Sequence, residues 1–137
     1  MRVLLDSNVA LDHILKREPF FNDAEKVLAL VSANVEFFLS ASAVTDVFYI
    51  SRKHLRSKIK AMDALKKILL KIKIAALDDA DIRRAVALEW GDFEDAVQFV
   101  AGEEAFVDCI VTRDKSNYPA TTPAVLSPDE FLSLLQG

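Results

Sequence analysis

Three short apolar runs in this chain end at or shortly before an aspartate. Val3-Leu4-Leu5 stops at Asp6, Val35-Glu36-Phe37-Phe38-Leu39 comes shortly before Asp46, and the run from Val107 to Val111 leads to Asp114. A fourth group, Asp92 and Asp95, opens an apolar-striped segment. Runs of this kind, bounded by polar residues, read as strands buried on both faces of a parallel sheet. In an open parallel sheet the carboxyl ends of the strands share one edge, and ligands bind in the crevice there. Aspartates far apart in sequence are thereby brought to one place. Carboxylates so gathered repel one another unless a cation sits among them or some take up protons. The pattern is that of a chain built to hold a divalent metal.

The rest of the chain supplies helices between those strands. Strands are expected at 2–5, 35–39, 73–76, 107–111 and 124–126. A helix from Asn8 carries Val9, Leu11, Ile14 and Leu15 until Pro19 interrupts it, and Asn22 or Asp23 is placed to cap a second. Ser40 or Ser42 caps a third, to about Lys53. A basic amphipathic helix follows over 57–71, with Ile59, Met62, Leu65, Leu69 and Ile72 read as inward and the lysines as outward. Asp78 or Asp79 caps a helix to Glu89, Asp92 starts another to about Glu104, and Ser127-Pro128-Asp129-Glu130 is a helix start with a capping serine and a first-turn proline. This alternation predicts a three-layer α/β/α sandwich with a mostly parallel central sheet of four or five strands. A length of 137 residues, with no repeat and no Gly/Ser linker, fits one domain over 1–137.

Bulk properties exclude several classes. Hydrophobic residues make up 52% of the chain, which rules out disorder. No apolar run approaches the roughly 18 residues that span a bilayer. The first residues lack the apolar core of a secretory signal, so a cytoplasmic protein is expected. The single cysteine, Cys109, sits in an apolar run and reads as a small core residue. A net charge of −4 argues against unselective nucleic-acid binding, yet it hides an asymmetry. Between Arg52 and Lys73 nine Lys or Arg face one acid, Asp63; between Asp78 and Asp108 ten acids face Arg83 and Arg84. Either the basic stretch is a solvated helix face, or it forms a rim that attracts polyanions beside an acidic pocket. On the second reading Lys60, Lys67 and Lys71 contact the phosphates of a polyanion.

Each acidic motif has a plainer use beside the metal-binding one. Asp6-Ser7-Asn8 are all good helix caps, but three in a row exceed what one cap needs. Asp46 suits a first helical turn, although its setting in Ala43-Val44-Thr45-Asp46-Val47-Phe48 makes an unpaired carboxylate costly. In Gly91-Asp92-Phe93-Glu94-Asp95, Asp92 and Asp95 share a helix face at i, i+3, while Glu94 is expected to point away. Asp92 serves as a cap or as an outer member of the site. Thr112-Arg113-Asp114-Lys115-Ser116-Asn117 follows a strand and mixes oxygen ligands with cations. Asp6, Asp46, Asp95 and Asp114 are the candidate metal ligands, and His13 and His54 have no partner at ligand spacing.

Asp6-Ser7-Asn8-Val9, Thr45-Asp46-Val47-Phe48-Tyr49-Ile50, Asp92-Phe93-Glu94-Asp95-Ala96-Val97-Gln98 and Val111-Thr112-Arg113-Asp114 resemble, in order, the successive motifs of PIN domains. The resemblance covers essentially the whole chain and is strongest to bacterial VapC-like toxins of toxin–antitoxin pairs. It implies a ribonuclease that binds Mg²⁺ or Mn²⁺ through Asp6, Asp46, Asp95 and Asp114, with Asp92, Asn117, Ser7 and Thr112 as supporting residues and Arg113 on the RNA backbone. It also implies a small antitoxin protein as partner, and a homodimer. Many family members carry Glu where this chain has Asp46, whose shorter side chain then reaches a metal through water. Two other readings compete: a PIN-fold binding module without turnover, and an aspartate-based phosphatase or receiver-like domain. The last is disfavoured because Asn8 stands where a phosphatase needs a second aspartate.

Overall fold

The computed structural model describes every residue except Ala33, Thr121 and Gly137. Among the described residues the chain forms five strands and seven α-helices. They follow the order β1 (Arg2–Leu5), α1 (Ser7–Ile14), α2 (Phe21–Leu28), β2 (Glu36–Ser40), α3 (Ala41–Leu55), α4 (Lys58–Leu69), β3 (Lys73–Ala75), α5 (Asp79–Leu88), α6 (Phe93–Glu104), β4 (Cys109–Val111), β5 (Ala124–Leu126) and α7 (Pro128–Gln136). The strands form one sheet, ordered β3-β2-β1-β4-β5, with every neighbouring pair parallel. This is the expected α/β/α sandwich. No helix among the described residues is long and apolar enough to cross a membrane.

Alternation along the strands builds two cores. Val3 and Leu5, Phe37 and Leu39, and Cys109 and Val111 face one way, against Val9, Val27, Val47, Ile68 and Phe131 from α1 to α4 and α7. Leu4, Phe38 and Ile110 face the other way, against Ala96, Val100 and Ala101 of α6 and Ala85 of α5. Period-two patterning with apolar residues on both faces is what a sheet covered twice requires. Cys109 is buried in the first core, and burial pushes its thiol up to about 11, so it serves as packing.

Three local expectations change. Neither Asn22 nor Asp23 caps α2; Phe20 holds the cap position without a side-chain bond, because a preceding turn delivers the amides of Phe20 and Phe21 to the Arg17 carbonyl at 3.0 and 2.7 Å. The buried stripe of α4 is Ala61, Leu65 and Ile68, continued by Ile72, whereas Ile59 is 83% exposed and Met62 is also exposed. Packed beside α3, the helix needs only a narrow apolar seam. Strands β2 and β4 are shorter at their starts than the apolar runs suggested, since Val35 and Val107 are buried just ahead of the ladder. The other caps are as expected: Ser40 accepts from the Ala43 amide, and Asp78 forms a capping box with Asp81.

The order 3-2-1-4-5 makes the chain switch direction between β1 and β4, where a crevice opens at the carboxyl ends. Helix α6 lies across this point, and Gly102 lets it sit close. A methyl there would stand 3.2 Å from Val107 Cγ2 and 3.4 Å from Leu4 Cδ2. Gly102→Val should therefore overpack the second core, destabilising by about 2 kcal/mol and lowering the melting temperature by roughly 5 °C or more. Thermal unfolding followed by circular dichroism checks this, and an unchanged melting temperature would refute the close approach.

Candidate metal centre

Asp6 leaves the end of β1 at the switch point, its amide still bonded to the Val111 carbonyl of β4 at 2.9 Å. Only 3% of it is exposed, and its carboxylate is ringed by donors. Oδ2 accepts from Thr112 Oγ1 at 2.8 Å and from the Tyr118 hydroxyl at 3.0 Å. Oδ1 accepts from Gln98 Nε2, Ser7 Oγ and the Asn8 amide, each at 3.3 Å. The last of these is the helix cap expected for α1, so Asp6 performs both of its candidate roles.

Asp95 enters from α6, on the opposite face of the sheet from α1. It is 7% exposed, and its Oδ1 accepts from the same two groups that serve Asp6: Gln98 Nε2 at 3.1 Å and the Tyr118 hydroxyl at 3.3 Å. The Gln98 amide is oriented by its oxygen, which accepts from the Ser7 amide at 3.2 Å. A hydroxyl has one proton to give, so Tyr118 satisfies one of the two acids at a time. Burial, then the charges of Asp6 and Asp92, push Asp95 up to about 7, against the opposing pull of Asn117 and Tyr118 hydrogen bonds. Near neutral pH Asp95 therefore still holds a proton part of the time. Asp92 caps α6, its Oδ1 accepting from the Asp95 amide at 3.0 Å, and adds its charge from there.

The remaining acids close the group. Thr112 Oγ1 accepts from the Asp114 amide at 3.0 Å while donating to Asp6, and Asn8 Nδ2 donates to Asp114 Oδ2 at 3.2 Å. Asp46, half-buried in the second turn of α3, is raised by burial. Glu94 does not point away: its carboxyl is raised chiefly by Asp46, with burial, Asp92 and Asp6 adding to it. It lies exposed at the mouth, within electrostatic reach of Asp46 on one side and of Asp92 and Asp6 on the other. Asp6 and Asp95 thus share their donors, Asp114 joins them through Asn8 and Thr112, Asn117 bonds Asp95, and Asp46 is linked to the group through Glu94.

Their oxygens do not form a finished cage; among the described residues no three His, Cys, Asp or Glu side chains stand ready-spaced around an ion. The nearest donors are carboxylate and hydroxyl oxygens without thiolate or imidazole. That set fits a hard cation that keeps much of its water, as Mg²⁺ or Mn²⁺ does, better than one needing a tight protein cage.

Of the expected RNA contacts, Arg113 and Lys67 are paired within the protein and Lys71 lies away from the acids. Arg113 is committed to Asp12, which is 1% exposed: Nε donates to Oδ2 at 2.6 Å and Nη2 to Oδ1 at 3.2 Å. Arg17 Nε donates to the same Oδ1 at 2.9 Å, and the Phe20 ring covers Arg113 at 3.8 Å. A buried carboxylate needs such partners, and the triad anchors the Thr112–Asp114 loop to α1. Lys60, Lys67 and Lys71 are exposed as expected, but Lys67 pairs with Asp63 at 3.1 Å. Lys71 shares a groove with Glu36 and Lys73, where β2 and β3 begin, at the edge opposite the acids.

Residues 2–116 match the model of the PIN domain. The chain belongs to the PIN domain family. Ribonuclease VapC1 of Aquifex aeolicus is 26% identical to it over 136 residues, 95% of this chain and 92% of that protein. Among solved structures, VapBC2 of Rickettsia felis bound to a promoter DNA fragment superposes with a TM-score of 0.69 at 16% identity, covering 93% of this chain and 98% of that one. A toxin–antitoxin complex from Klebsiella pneumoniae gives 0.68 at 19%, covering 92% and 97%. These likenesses agree with the PIN fold expected from the motifs.

The raised Asp95 carries a sign that can be checked. Its folded value of about 7 lies above the 3.8 of the unfolded chain. Between these the folded state holds a proton that the unfolded state has released, so stability falls as pH rises through that window and levels off above it. Without divalent ions, Asp95→Asn should stabilise the protein at pH 8 by about 4 kcal/mol more than at pH 4, read by urea unfolding. An equal effect at both pH values would contradict the burial and repulsion described.

Proposed function

We propose that this PIN protein is a metal-dependent endoribonuclease, the toxin of a pair whose other member is a small antitoxin protein. The observation that carries it is the buried Asp6–Asp95 pair, bridged by Gln98 and Tyr118 at the switch point and flanked by Asp46, Asp92, Glu94 and Asp114. The ribonuclease name of the Aquifex relative and the toxin–antitoxin assemblies among the fold neighbours support it. All four acids expected of an active PIN site are present, which favours turnover over a silent binding module.

Asp6 and Asp95 would hold Mg²⁺ or Mn²⁺, with Asp46 and Asp114 orienting its waters. Bound there, the ion supplies charge neutralisation for the carboxylates and the scissile phosphate and lowers the pKa of water for hydrolysis. Thr112 fixes Asp6 and Asp114 relative to each other. Gln98 and Tyr118, donors common to both acids, hold the two central carboxylates together. Asp95, raised to about 7, would have to give up its proton to act as a full carboxylate ligand there. Exposed Ile82 and Val86 on α5, with Phe93, offer apolar surface for the proposed homodimer.

Cleavage of mixed single-stranded RNA with Mg²⁺ or Mn²⁺, and its loss on chelation, tests this reading. Asp95→Asn should lower turnover by at least 100-fold. Saturating Mg²⁺ or Mn²⁺ should raise the parent's melting temperature by several degrees, because a ligand at 100 times its Kd adds about 2.7 kcal/mol. The variant should show no such rise. Cleavage that survives chelation, or identical melting with and without the ions, would sink the proposal.

A further inference from the structure

Helix α3 carries Asp46 at the acidic mouth, and Tyr49, Lys53 and Arg56 follow it at i+3, i+7 and i+10. That spacing keeps them on one outward stripe, opposite the buried Ala43, Val47 and Ser51. At 1.5 Å per residue the stripe runs about 15 Å from Asp46 to the end of the helix. There the chain turns at Arg56, φ 54°, into α4, and Tyr49, Arg52, Lys53, Arg56, Ser57 and Lys58 line a surface groove. It holds four cations and no carboxylate, in a chain of net charge −4. None of the four forms an ion pair among the described residues.

Helix stability does not account for this arrangement. Arg52 and Lys53 suit the last turn of α3, but Lys58 is the first residue of α4, where the helix dipole disfavours a cation. Tyr49 is 73% exposed, so its ring is not packing material. An uncovered aromatic ring among unpaired cations, on a stripe that begins at the acids, has the chemistry of a single-strand platform: phosphates on the cations and a base on the ring.

We propose that this groove is the track along which single-stranded RNA leaves the acidic edge, a base stacking on Tyr49 and phosphates meeting Arg52, Lys53, Arg56 and Lys58. The proposal rests on the ribonuclease reading. It moves the RNA contacts from the outer face of α4 to the elbow between α3 and α4. Binding there is tolerant of sequence, because every base has a face to stack and phosphate contacts read no bases.

The test is fluorescence anisotropy with a short labelled single-stranded RNA of mixed sequence, in the presence of EDTA so that nothing is cut, across a range of salt. The full-length parent is compared with Tyr49→Ala, Tyr49→Trp and the triple variant Arg52→Gln, Lys53→Gln, Arg56→Gln, each first shown to melt like the parent. Tyr49→Ala should weaken binding by roughly tenfold, within the range for loss of one base–aromatic stack, and Tyr49→Trp should restore it. The triple variant should flatten the slope of log affinity against log salt by about 2, at roughly 0.7 per lost contact. Unchanged affinity and slope, in a protein whose parent cleaves RNA, would overturn the track and leave the ribonuclease reading standing. Intact RNA binding with loss of self-association would make the groove a protein contact and overturn the track equally. A parent without metal-dependent cleavage would instead remove the reading on which the track rests.

Discussion

Two carboxylates from opposite faces of the sheet, Asp6 and Asp95, are held against each other by the amide of Gln98 and the hydroxyl of Tyr118. Like charges this close and this buried are unfavourable unless a proton or a cation joins them. The surrounding structure reads as the means of imposing that proximity. Parallel pairing of β1 with β4 sets Asp6 beside Thr112, and the switch in strand order leaves the crevice open above them. The missing Cβ at Gly102 lets α6 settle onto Leu4 and Val107, bringing Asp95 down to the same edge. Asp12 pins the loop of Asp114 by gripping Arg113 from beneath.

This arrangement divides labour between stability and chemistry. Tyr118 and Gln98 offset part of the repulsion by hydrogen bonds to both acids, without neutralising them. Such opposition between stability and function is common at catalytic sites. The acids nearer the mouth, Asp46 and Glu94, are more hydrated: burial alone raises Asp46, and the charge of Asp46 is the chief cause that raises Glu94.

Much of this was legible in the residues. Strand runs ending at aspartates gave the parallel sheet and its functional edge, because period and chain direction are local properties that the fold preserves. The caps at Ser40, Asp78 and Asp92 were readable for the same reason. What escaped depends on tertiary geometry. Gln98 stands one helical turn from Asp95 and was within reach of a spacing argument, but Tyr118 arrives from the turn after β4 and nothing local marks it. Asp12 looks like a surface acid until Arg17 and Arg113 are seen to converge on it. Helix phase alone turns Glu94 away from Asp92 and Asp95, and it does not say that α3 supplies Asp46 across from it. The inward face of α4 was read too broadly, since only contact with α3 narrows the seam to Ala61, Leu65 and Ile68.

On the proposed reading the Asp6–Asp95 pair would exchange a proton for a divalent cation. Calorimetric titration with Mn²⁺ in buffers of different ionisation enthalpy counts the protons released on binding. With Asp95 at about 7, binding at pH 6 should release close to one proton per ion, falling toward none at pH 9 and absent in Asp95→Asn. Binding without proton release at pH 6, or no binding of the ion at either pH, would contradict the account.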